Sequence, residues 1–190
     1  LDGKVLKKLI KGNRSINFEE LKWLQSGISW SPDGQNIVIA SKSGDVDALY
    51  LINIETEKTN KLTFDLDGLF TASWSPDGNY LCFVGNRGNA SDIFLYDLHS
   101  ETFENLTNDL FSDSEPVWSP DGKFIAFVSD RGEHIVKSED EDWNSLNMFE
   151  HNYSQRDIYI LDTHTKEIER ITSTDHDETY PVWAHTENVL

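Results

Sequence analysis

The sequence predicts an all-β protein, an incomplete β-propeller made of four-stranded antiparallel blades. The string Trp-Ser-Pro-Asp-Gly occurs three times, at residues 30–34, 74–78 and 118–122, and successive copies are 44 residues apart. Each interval holds several short β-prone runs separated by turn residues. A repeat of this length with four strands is typical of propeller blades, which bury their faces only by stacking on neighbouring blades.

Each copy of the string is predicted to form the turn between the first two strands of a blade. Proline presets φ at the first central position, aspartate suits the second, and glycine accepts the left-handed conformation that follows. The tryptophan stands at the end of the strand before the turn. We therefore expect Trp30, Trp74 and Trp118 to be equivalent and mostly buried.

The strands of a blade are clearest in the second repeat, where we name them a to d. They are separated by turn residues and lie at 69–74, 80–85, 92–97 and 103–107. Strand c alternates apolar and polar residues, while strand b is almost wholly apolar, as expected for sheets covered on both faces. We expect Asp97, and Asp162 in the third repeat, to cap the turn between strands c and d.

The whole chain, residues 1–190, is predicted to be a single propeller segment. Its blades are predicted at about 26–63, 70–107 and 114–172, with a leading strand at 4–10 and a trailing strand at 180–184. A closed propeller needs at least four blades, so three blades leave open edges. Such edges present unpaired backbone groups, and we expect them to drive self-association.

One long insertion interrupts the third repeat. Three residues separate Gly88 from Asp92, whereas twenty-four separate Gly132 from Asp157, so the b–c loop at 133–156 carries 21 extra residues. Long loops in compact domains are usually functional or disordered, and the aromatic residues of this one favour a packed loop. In an antiparallel blade the b–c and d–a loops leave from the same side, opposite the Ser-Pro-Asp-Gly turns.

The predicted partner-binding face combines this insertion with the d–a loops, because binding residues concentrate on loops held by a rigid scaffold. The predicted residues supply apolar contact area or negative charge: Trp143, Phe149 and Tyr153 the first, and Asp113, Glu115, Asp175 and Asp177 the second. The acidic side chains would select a cationic group or a cation. An alternative for Trp143 and Phe149 is that they pin the insertion onto its own blade.

Charge restricts the class of partner. Sixteen Lys and Arg residues stand against 34 Asp and Glu residues, a net charge of −18. Such a surface repels nucleic acid and anionic membranes and suits a basic protein partner or a metal ion, although acidity also serves solubility alone. Cys82 lies in an apolar run and is expected to be a buried hydrophobic residue. No apolar run has membrane-spanning length and no signal peptide is predicted, and the chain is expected to be a fragment or a processed form.

Three features of the repeats resemble the WD40-like repeats of TolB-type β-propellers. They are the Trp-Ser-Pro-Asp-Gly turn, the Phe-Val-Ser-Asp-Arg-Gly run at 127–132 and the Asp-Ile-Tyr-Ile-Leu-Asp strand at 157–162. The resemblance implies a non-catalytic scaffold or protein-binding module of the periplasm or cell envelope. Similar blades form the N-terminal propeller of prolyl-oligopeptidase-like serine peptidases and the metal-dependent oligogalacturonate lyases, and both remain alternatives because fold alone does not choose.

No catalytic residue, metal or other cofactor is predicted. The chain lacks the Gly-x-Ser-x-Gly string of a nucleophile elbow. Four loop histidines, His134, His151, His176 and His185, lie near carboxylates and could hold Mn or Zn, but no metal-binding spacing supports this. A calcium loop starting at Asp65 is excluded, because Pro76 stands where a bidentate glutamate is needed.

Arg87 and Arg131 occupy equivalent positions after strand b of the second and third blades. Each is expected to be structural rather than ligand-binding, and to pair with loop carboxylates such as Asp130.

Overall fold

The computed structural model describes residues 20–21, 27–43, 46–132 and 155–184. Thirteen strands and no helix are found among these residues. The predicted leading strand at 4–10 lies outside the described residues. The predicted all-β fold class is confirmed.

The strands form three antiparallel sheets. The first sheet contains β1 (Glu20–Leu21), β2 (Ser29–Trp30), β3 (Asn36–Ser43), β4 (Val46–Asn53) and β5 (Thr59–Thr63). The second contains β6 (Gly68–Trp74), β7 (Tyr80–Arg87), β8 (Ala90–Asp97) and β9 (Thr102–Asn105). The third contains β10 (Asp113–Trp118), β11 (Phe124–Ser129), β12 (Asp157–Asp162) and β13 (Ile168–Arg170). The second and third sheets are each four-stranded in chain order, as in propeller blades.

The Ser-Pro-Asp-Gly turns have one hydrogen-bonding pattern, seen here in the second sheet. Gly78 N donates to Ser75 O at 3.0 Å, and Gly78 has φ 79°, a left-handed conformation that favours glycine. Ser75 Oγ donates to Asp77 Oδ1 at 2.6 Å and accepts from Tyr80 N at 2.9 Å. The same bonds recur at Ser31 and Ser119. The polar groups of each turn are therefore satisfied within the turn.

The turns between strands c and d are also capped from within. Asp97 Oδ1 accepts from the backbone N of His99 at 2.7 Å and of Ser100 at 3.0 Å. Asp162 does the same for His164 and Thr165, at 2.8 Å each. These backbone hydrogen bonds favour the ionised carboxyl and lower the pKa of both aspartates. The predicted capping role is confirmed.

The sheets stack through two apolar cores. Between the first and second sheets, Val38 and Leu49 meet Leu81, Phe83 and Phe94, all buried. Between the second and third, a second core includes the buried residues Cys82, Ile93, Ile125, Phe127 and Tyr159. Complete burial raises the pKa of the Cys82 thiol above its usual range, so this cysteine stays protonated.

The tryptophans before the turns are not all equivalent in burial. Trp74 and Trp118 are half-buried against the two cores, whereas Trp30 is 58% exposed. The prediction that Trp30 is mostly buried is therefore wrong. No sheet precedes the first one in the described part of the chain, so Trp30 lacks the surface on which its counterparts pack.

Trp183 continues the series of tryptophans beyond the third sheet. Trp118 Nε1 donates to Ser73 O at 3.3 Å, and Trp183 Nε1 donates to Val117 O at 3.2 Å. Each acceptor immediately precedes the tryptophan of the preceding sheet. Trp183 is 8% exposed and so stands where a fourth blade would begin, although residues 180–184, predicted as a trailing strand, have no strand assignment.

Candidate functional site

The face opposite the Ser-Pro-Asp-Gly turns is built from loops of all three sheets. It contains the hairpin of Gly88 and Asn89 between β7 and β8, and the loops 64–67, 106–112 and 171–179 that follow the last strand of each sheet. Residues 133–154 of the predicted insertion, and with them Trp143, Phe149 and Tyr153, lie outside the described residues. The geometry of this face is therefore given by the other loops.

A buried ion-pair cluster lies where the second and third sheets meet on this face. Arg131 is 3% exposed, and its Nη2 donates to Asp109 Oδ2 at 2.7 Å and to Asp113 Oδ2 at 3.0 Å. The guanidinium carbon lies 5.1 Å from the ring centroid of Phe127 and 5.4 Å from that of Tyr159. Arg131 is thus held by charge on one side and by aromatic faces on the other.

The expected pairing with carboxylates is found for Arg131 but with partners other than Asp130, and among the described residues it is not found for Arg87. Asp130 Oδ1 accepts from Ser112 N at 2.7 Å, and Arg131 forms its salt bridges with Asp109 and Asp113. Arg87 is exposed, and its Nη2 donates to the backbone O of Asp65 at 3.2 Å.

Asp92 completes a group of three carboxylates with Asp109 and Asp113. One oxygen from each lies within 4.8 Å of the others. Asp92 accepts from Asn105 Nδ2 at 2.8 Å and from Thr107 Oγ1 at 3.3 Å. Three such carboxylates are close enough to hold a cation, but a metal ion among them would face the guanidinium of Arg131, which already bonds two of them.

Burial and neighbouring charges shift the pKa values of Asp109, Asp113 and Arg131. Burial raises the pKa of Asp113 to about 7, although the positive charge of Arg131 opposes this shift. Burial also raises the pKa of Asp109. Burial alone would lower the pKa of Arg131, but Asp113 and Asp109 reverse this and raise it. One permanent cation therefore sits among more carboxyls than it neutralises, and Asp113 binds a proton near neutral pH.

A cavity of about 430 Å³ opens beside this cluster, between the second and third sheets. Its wall includes the carboxyls of Asp113, Asp130 and Asp177, and the apolar side chains of Phe70 and Val84. We call it the junction pocket.

Two residues of the junction pocket carry unsatisfied acceptors. Asp113 Oδ1 and Asn86 Oδ1 are buried and have no hydrogen-bond partner within the described part of the chain. Arg156 lines the pocket and bonds Asp177 through its backbone N, at 2.9 Å to Oδ1, and through Nη2, at 3.3 Å to Oδ2. Most buried polar atoms in proteins are paired, so these oxygens mark a place where a donor is missing.

The structure brings together two of the residues predicted to bind a partner, Asp113 and Asp177, which both line the junction pocket. Asp113 is fully buried, Asp177 is exposed, and Asp175 is exposed in the same loop outside the pocket wall. Glu115 is half-buried and accepts a hydrogen bond from Tyr180 N through Oε2.

Of the four loop histidines considered for a metal, only His176 is described, and it is exposed. The other three, His134, His151 and His185, lie outside the described residues.

Sequence reasoning singled out neither Asn86 nor the carboxylate group that Asp92 forms with Asp109 and Asp113. A signal was available for the aspartates. Asp92 and Asp157 begin strand c in the second and third repeats, where the first repeat has Ala48. A charged residue at an otherwise apolar strand start indicates a buried polar contact. Asn86 carries no comparable signal, because a neutral amide near a hairpin is ordinary.

Comparison with known proteins supports the resemblance. Residues 64–136 match the family model of the TolB beta propeller domain. TolB from Acinetobacter baumannii is 24% identical with a TM-score of 0.60, and the match covers 80% of this chain and 33% of that protein. The chain thus spans about a third of the length of that TolB. No curated protein sequence matches the chain.

Enzymes also contain similar folds. Puromycin hydrolase is 17% identical with a TM-score of 0.56, the match covering 85% of this chain and 23% of that one. Oligogalacturonate lyase from Vibrio parahaemolyticus is 19% identical with a TM-score of 0.52, covering 75% and 37%. At these identities the likeness shows the fold alone.

The described residues contain no helix able to span a membrane.

Proposed function

We propose that the chain is a non-catalytic, TolB-like propeller segment that binds a protein partner through the face carrying the junction pocket. The observation that carries the proposal is the contrast between the two faces. The turns of one face satisfy their own polar groups, as Ser75 and Asp77 do. Each face has a cavity, the junction pocket of about 430 Å³ on one and a cavity of about 470 Å³ beside Asp97 and His164 on the other. Of these two, only the junction pocket is lined by residues with unsatisfied buried acceptors, Asn86 and Asp113. Unsatisfied polar groups in a concave site favour binding.

The partner is expected to present basic groups, because three aspartates and one arginine line the junction pocket and the whole chain carries a net charge of −18. The insertion residues Trp143, Phe149 and Tyr153 extend the same face in the proposal and supply apolar contact area, and Glu115 and Asp175 add negative charge at its edge. By its resemblance to TolB we place the protein in the periplasm or cell envelope.

Catalysis is not part of the proposal. The likeness to puromycin hydrolase and to oligogalacturonate lyase extends to the fold, and the ionic cluster of Arg131, Asp109 and Asp113 is an internal contact between two sheets. Fold likeness alone does not carry an activity from one propeller to another.

Site-specific photocrosslinking tests the binding face. A benzophenone amino acid replaces Asn89, which is exposed on the hairpin between β7 and β8, and in the matched control it replaces His99, which is exposed on the opposite turn of the same sheet. We expect a discrete crosslinked protein, identified by mass spectrometry in extracts of the source cells, from position 89 and not from position 99. A crosslink of equal yield from both positions would contradict the proposed face.

A deletion of residues 139–153 tests the part played by the insertion. We expect the circular dichroism spectrum to stay that of a β protein and the crosslink from position 89 to be lost. Survival of the crosslink at full yield would remove the insertion from the binding face. Loss of the β spectrum would show that the insertion is structural.

A further inference from the structure

We propose that the junction pocket is a receptor for one basic side chain, a lysine or arginine of the protein partner, with its charged head at the aspartates and its alkyl stem along Phe70 and Val84. This inference rests on the proposed function, since it assumes a partner on this face. It goes further by assigning the recognised group and the residues that recognise it.

The charge of the pocket selects a cation. Asp113, Asp130 and Asp177 contribute three carboxyls to the wall, and Arg156 contributes one guanidinium. Arg156 is already bonded to Asp177, at 3.3 Å between Nη2 and Oδ2. Asp113 is likewise bonded to an arginine, at 3.0 Å between its Oδ2 and Arg131 Nη2, so among the described residues Asp130 is the wall carboxyl without a salt bridge. An anionic group would meet like charge there, whereas a cationic group gains the attraction of Asp130.

The hydrogen-bonding groups of the pocket select a donor. The partnerless oxygens, Asp113 Oδ1 and Asn86 Oδ1, are acceptors. Asp130 has one oxygen engaged by Ser112 N at 2.7 Å and accepts further bonds through the other. An ammonium or guanidinium group offers three to five N–H donors and no acceptor, which is the complement of this set.

The apolar part of the wall distinguishes a basic side chain from a bare cation. Phe70 and Val84 line the pocket together with the polar residues, and Val84 is 3% exposed. A metal ion gains nothing from an apolar wall, whereas lysine and arginine lay their methylene stems along apolar surface while the charged head stays polar. The volume of about 430 Å³ is open to solvent on the face where a partner would dock.

A pair of small probes tests the chemistry directly. Nα-acetyl-lysine methylamide carries the basic side chain, and Nα-acetyl-norleucine methylamide has a similar alkyl stem without the ammonium group. Each is titrated into the ¹⁵N-labelled 190-residue chain, and backbone amide shifts are followed by NMR. We expect saturable shifts at Asn89, Ser91 and Ser112 with the lysine probe and none with the norleucine probe. Equal shifts with both probes would overturn the proposal.

Charge-removing variants locate the probe. In the double variant Asp130→Asn with Asp177→Asn, both side chains keep an acceptor oxygen for Ser112 N and Arg156 N, so the loops retain these bonds. Loss of two partly solvated charges should weaken lysine-probe binding about fivefold. The matched control is Asp175→Asn, which removes a charge from the same loop as Asp177 but outside the wall, and should change binding less than twofold. An equal loss in the control would show a general field effect and reject the pocket.

A neutral variant keeps the test decisive if the double variant unfolds. Asn86→Ala removes an acceptor without changing charge and should weaken the lysine probe severalfold. Unchanged binding in Asn86→Ala, with shifts mapping elsewhere, would overturn the proposal. The crosslink at position 89 distinguishes failure of this inference from failure of the proposed function. If the crosslink persists while the lysine probe fails to bind, the face binds a partner but the pocket does not receive a basic side chain.

Discussion

The first and second junctions between sheets both contain an apolar core, but beside the loops they differ in chemistry. At the first junction, between the first and second sheets, the ring of Phe64 lies 4.7 Å from that of Phe83. At the second, between the second and third sheets, the guanidinium of Arg131 lies 5.1 Å from the ring of Phe127. Phe83 and Phe127 are 44 residues apart and occupy the same place in the repeat. An aromatic ring and a charged group thus cover equivalent aromatic surfaces.

Side chains around each junction follow this difference. At the first, Leu66 packs so closely over Gly85 that a Cβ there would lie 2.7 Å from Leu66 Cδ1. The position equivalent to Gly85 is Ser129, and the counterpart of Leu66, Leu110, is 61% exposed. Leu110 is thus exposed at the junction that contains the polar cluster. In that cluster, Asp113 occupies the repeat position that Leu69 occupies at the first junction.

The repeat determines the backbone but does not determine which side chains pack between neighbouring sheets. A buried ion pair adds little net stability, because desolvation offsets much of the attraction. The apolar junction is a core contact, whereas the polar junction leaves unsatisfied acceptors beside a pocket. We therefore expect blades to differ in function where their side chains depart most from the repeat.

The largest effect is expected from breaking the polar junction. Arg131→Met removes the guanidinium and leaves the buried Asp113 and the half-buried Asp109 without their cation, at a cost of roughly 3–5 kcal/mol in the free energy of unfolding. Urea unfolding followed by tryptophan fluorescence measures it. The matched control is Arg87→Met at the equivalent exposed position, which should cost less than about 0.5 kcal/mol. Equal losses in both variants would mean that the two junctions do not differ as described.

The second prediction concerns pH. The pKa of Asp113 is about 7 in the folded protein and about 4 in an unfolded chain, so between these values the folded state binds more protons. The stability that this group contributes is fully present below about pH 4 and is lost as the pH rises through 7. The free energy of unfolding of the wild type, minus that of Asp113→Asn, should fall by on the order of 2–4 kcal/mol from pH 4 to pH 8.

One kind of measurement checks this pH dependence. Urea unfolding of both proteins at several pH values gives the difference directly. Asp97 and Asp162 have lowered pKa values, so their opposite slope lies at acid pH and is shared by both proteins. A difference that does not change with pH would show that Asp113 is ionised throughout.

The apolar junction is tested by filling the space over Gly85. Gly85→Ala places a Cβ 2.7 Å from Leu66 Cδ1 and 2.9 Å from Phe94, which should cost about 1–3 kcal/mol through overpacking. Adding Leu66→Ala should recover part of this loss. The equivalent change at the polar junction, Ser129→Ala, removes a buried hydroxyl beside Asp113 and adds no atom, so it should cost less than Gly85→Ala. Thermal unfolding of the three variants orders them, and a Ser129→Ala variant as destabilised as Gly85→Ala would contradict the comparison.

The smallest effect is expected at Trp30, where no junction is present among the described residues. Trp30 is 58% exposed, so Trp30→Ala should cost less than about 1 kcal/mol. Trp118→Ala removes a side chain packed on the second core and bonded to Ser73 O, and should cost roughly 3–5 kcal/mol. Chemical denaturation of both variants gives the ratio. Similar losses would place Trp30 in a junction of its own.

The backbone could be predicted from the sequence because its determinants are local and repeated. The turn geometry follows from the side chain of Asp77 and the left-handed conformation of Gly78, so three copies of one string specify three hairpins. The exposure of Trp30 could not be predicted, because its burial depends on whether another sheet stacks there. A repeat describes what the blades share and not which surface stacks on each of them.

The candidate site was predictable only in part. Asp113 and Asp177 lie on the side of the d–a loops, as predicted, because the side from which a loop leaves follows from strand order. The partner of Arg131 was misjudged because Asp130 is adjacent in sequence, and neighbouring residues of an extended chain point in opposite directions. The true partners lie 22 and 18 residues away in sequence. Asp109 belongs to the loop between the second and third sheets, and Asp113 begins the strand that pairs with the strand preceding Arg131.

The bonds from Trp118 and Trp183 have a consequence for how such a protein changes over evolutionary time. The first spans 45 residues of sequence and the second spans 66, yet both join the same two positions of the repeat. The 21 additional residues are therefore accommodated without displacing the next blade position. Lengthening the loop between Ser129 and Asp157 from six residues to 27 costs roughly 1 kcal/mol in closure entropy. A lineage can thus enlarge one loop at small cost while the spacing of its blades is inherited unchanged.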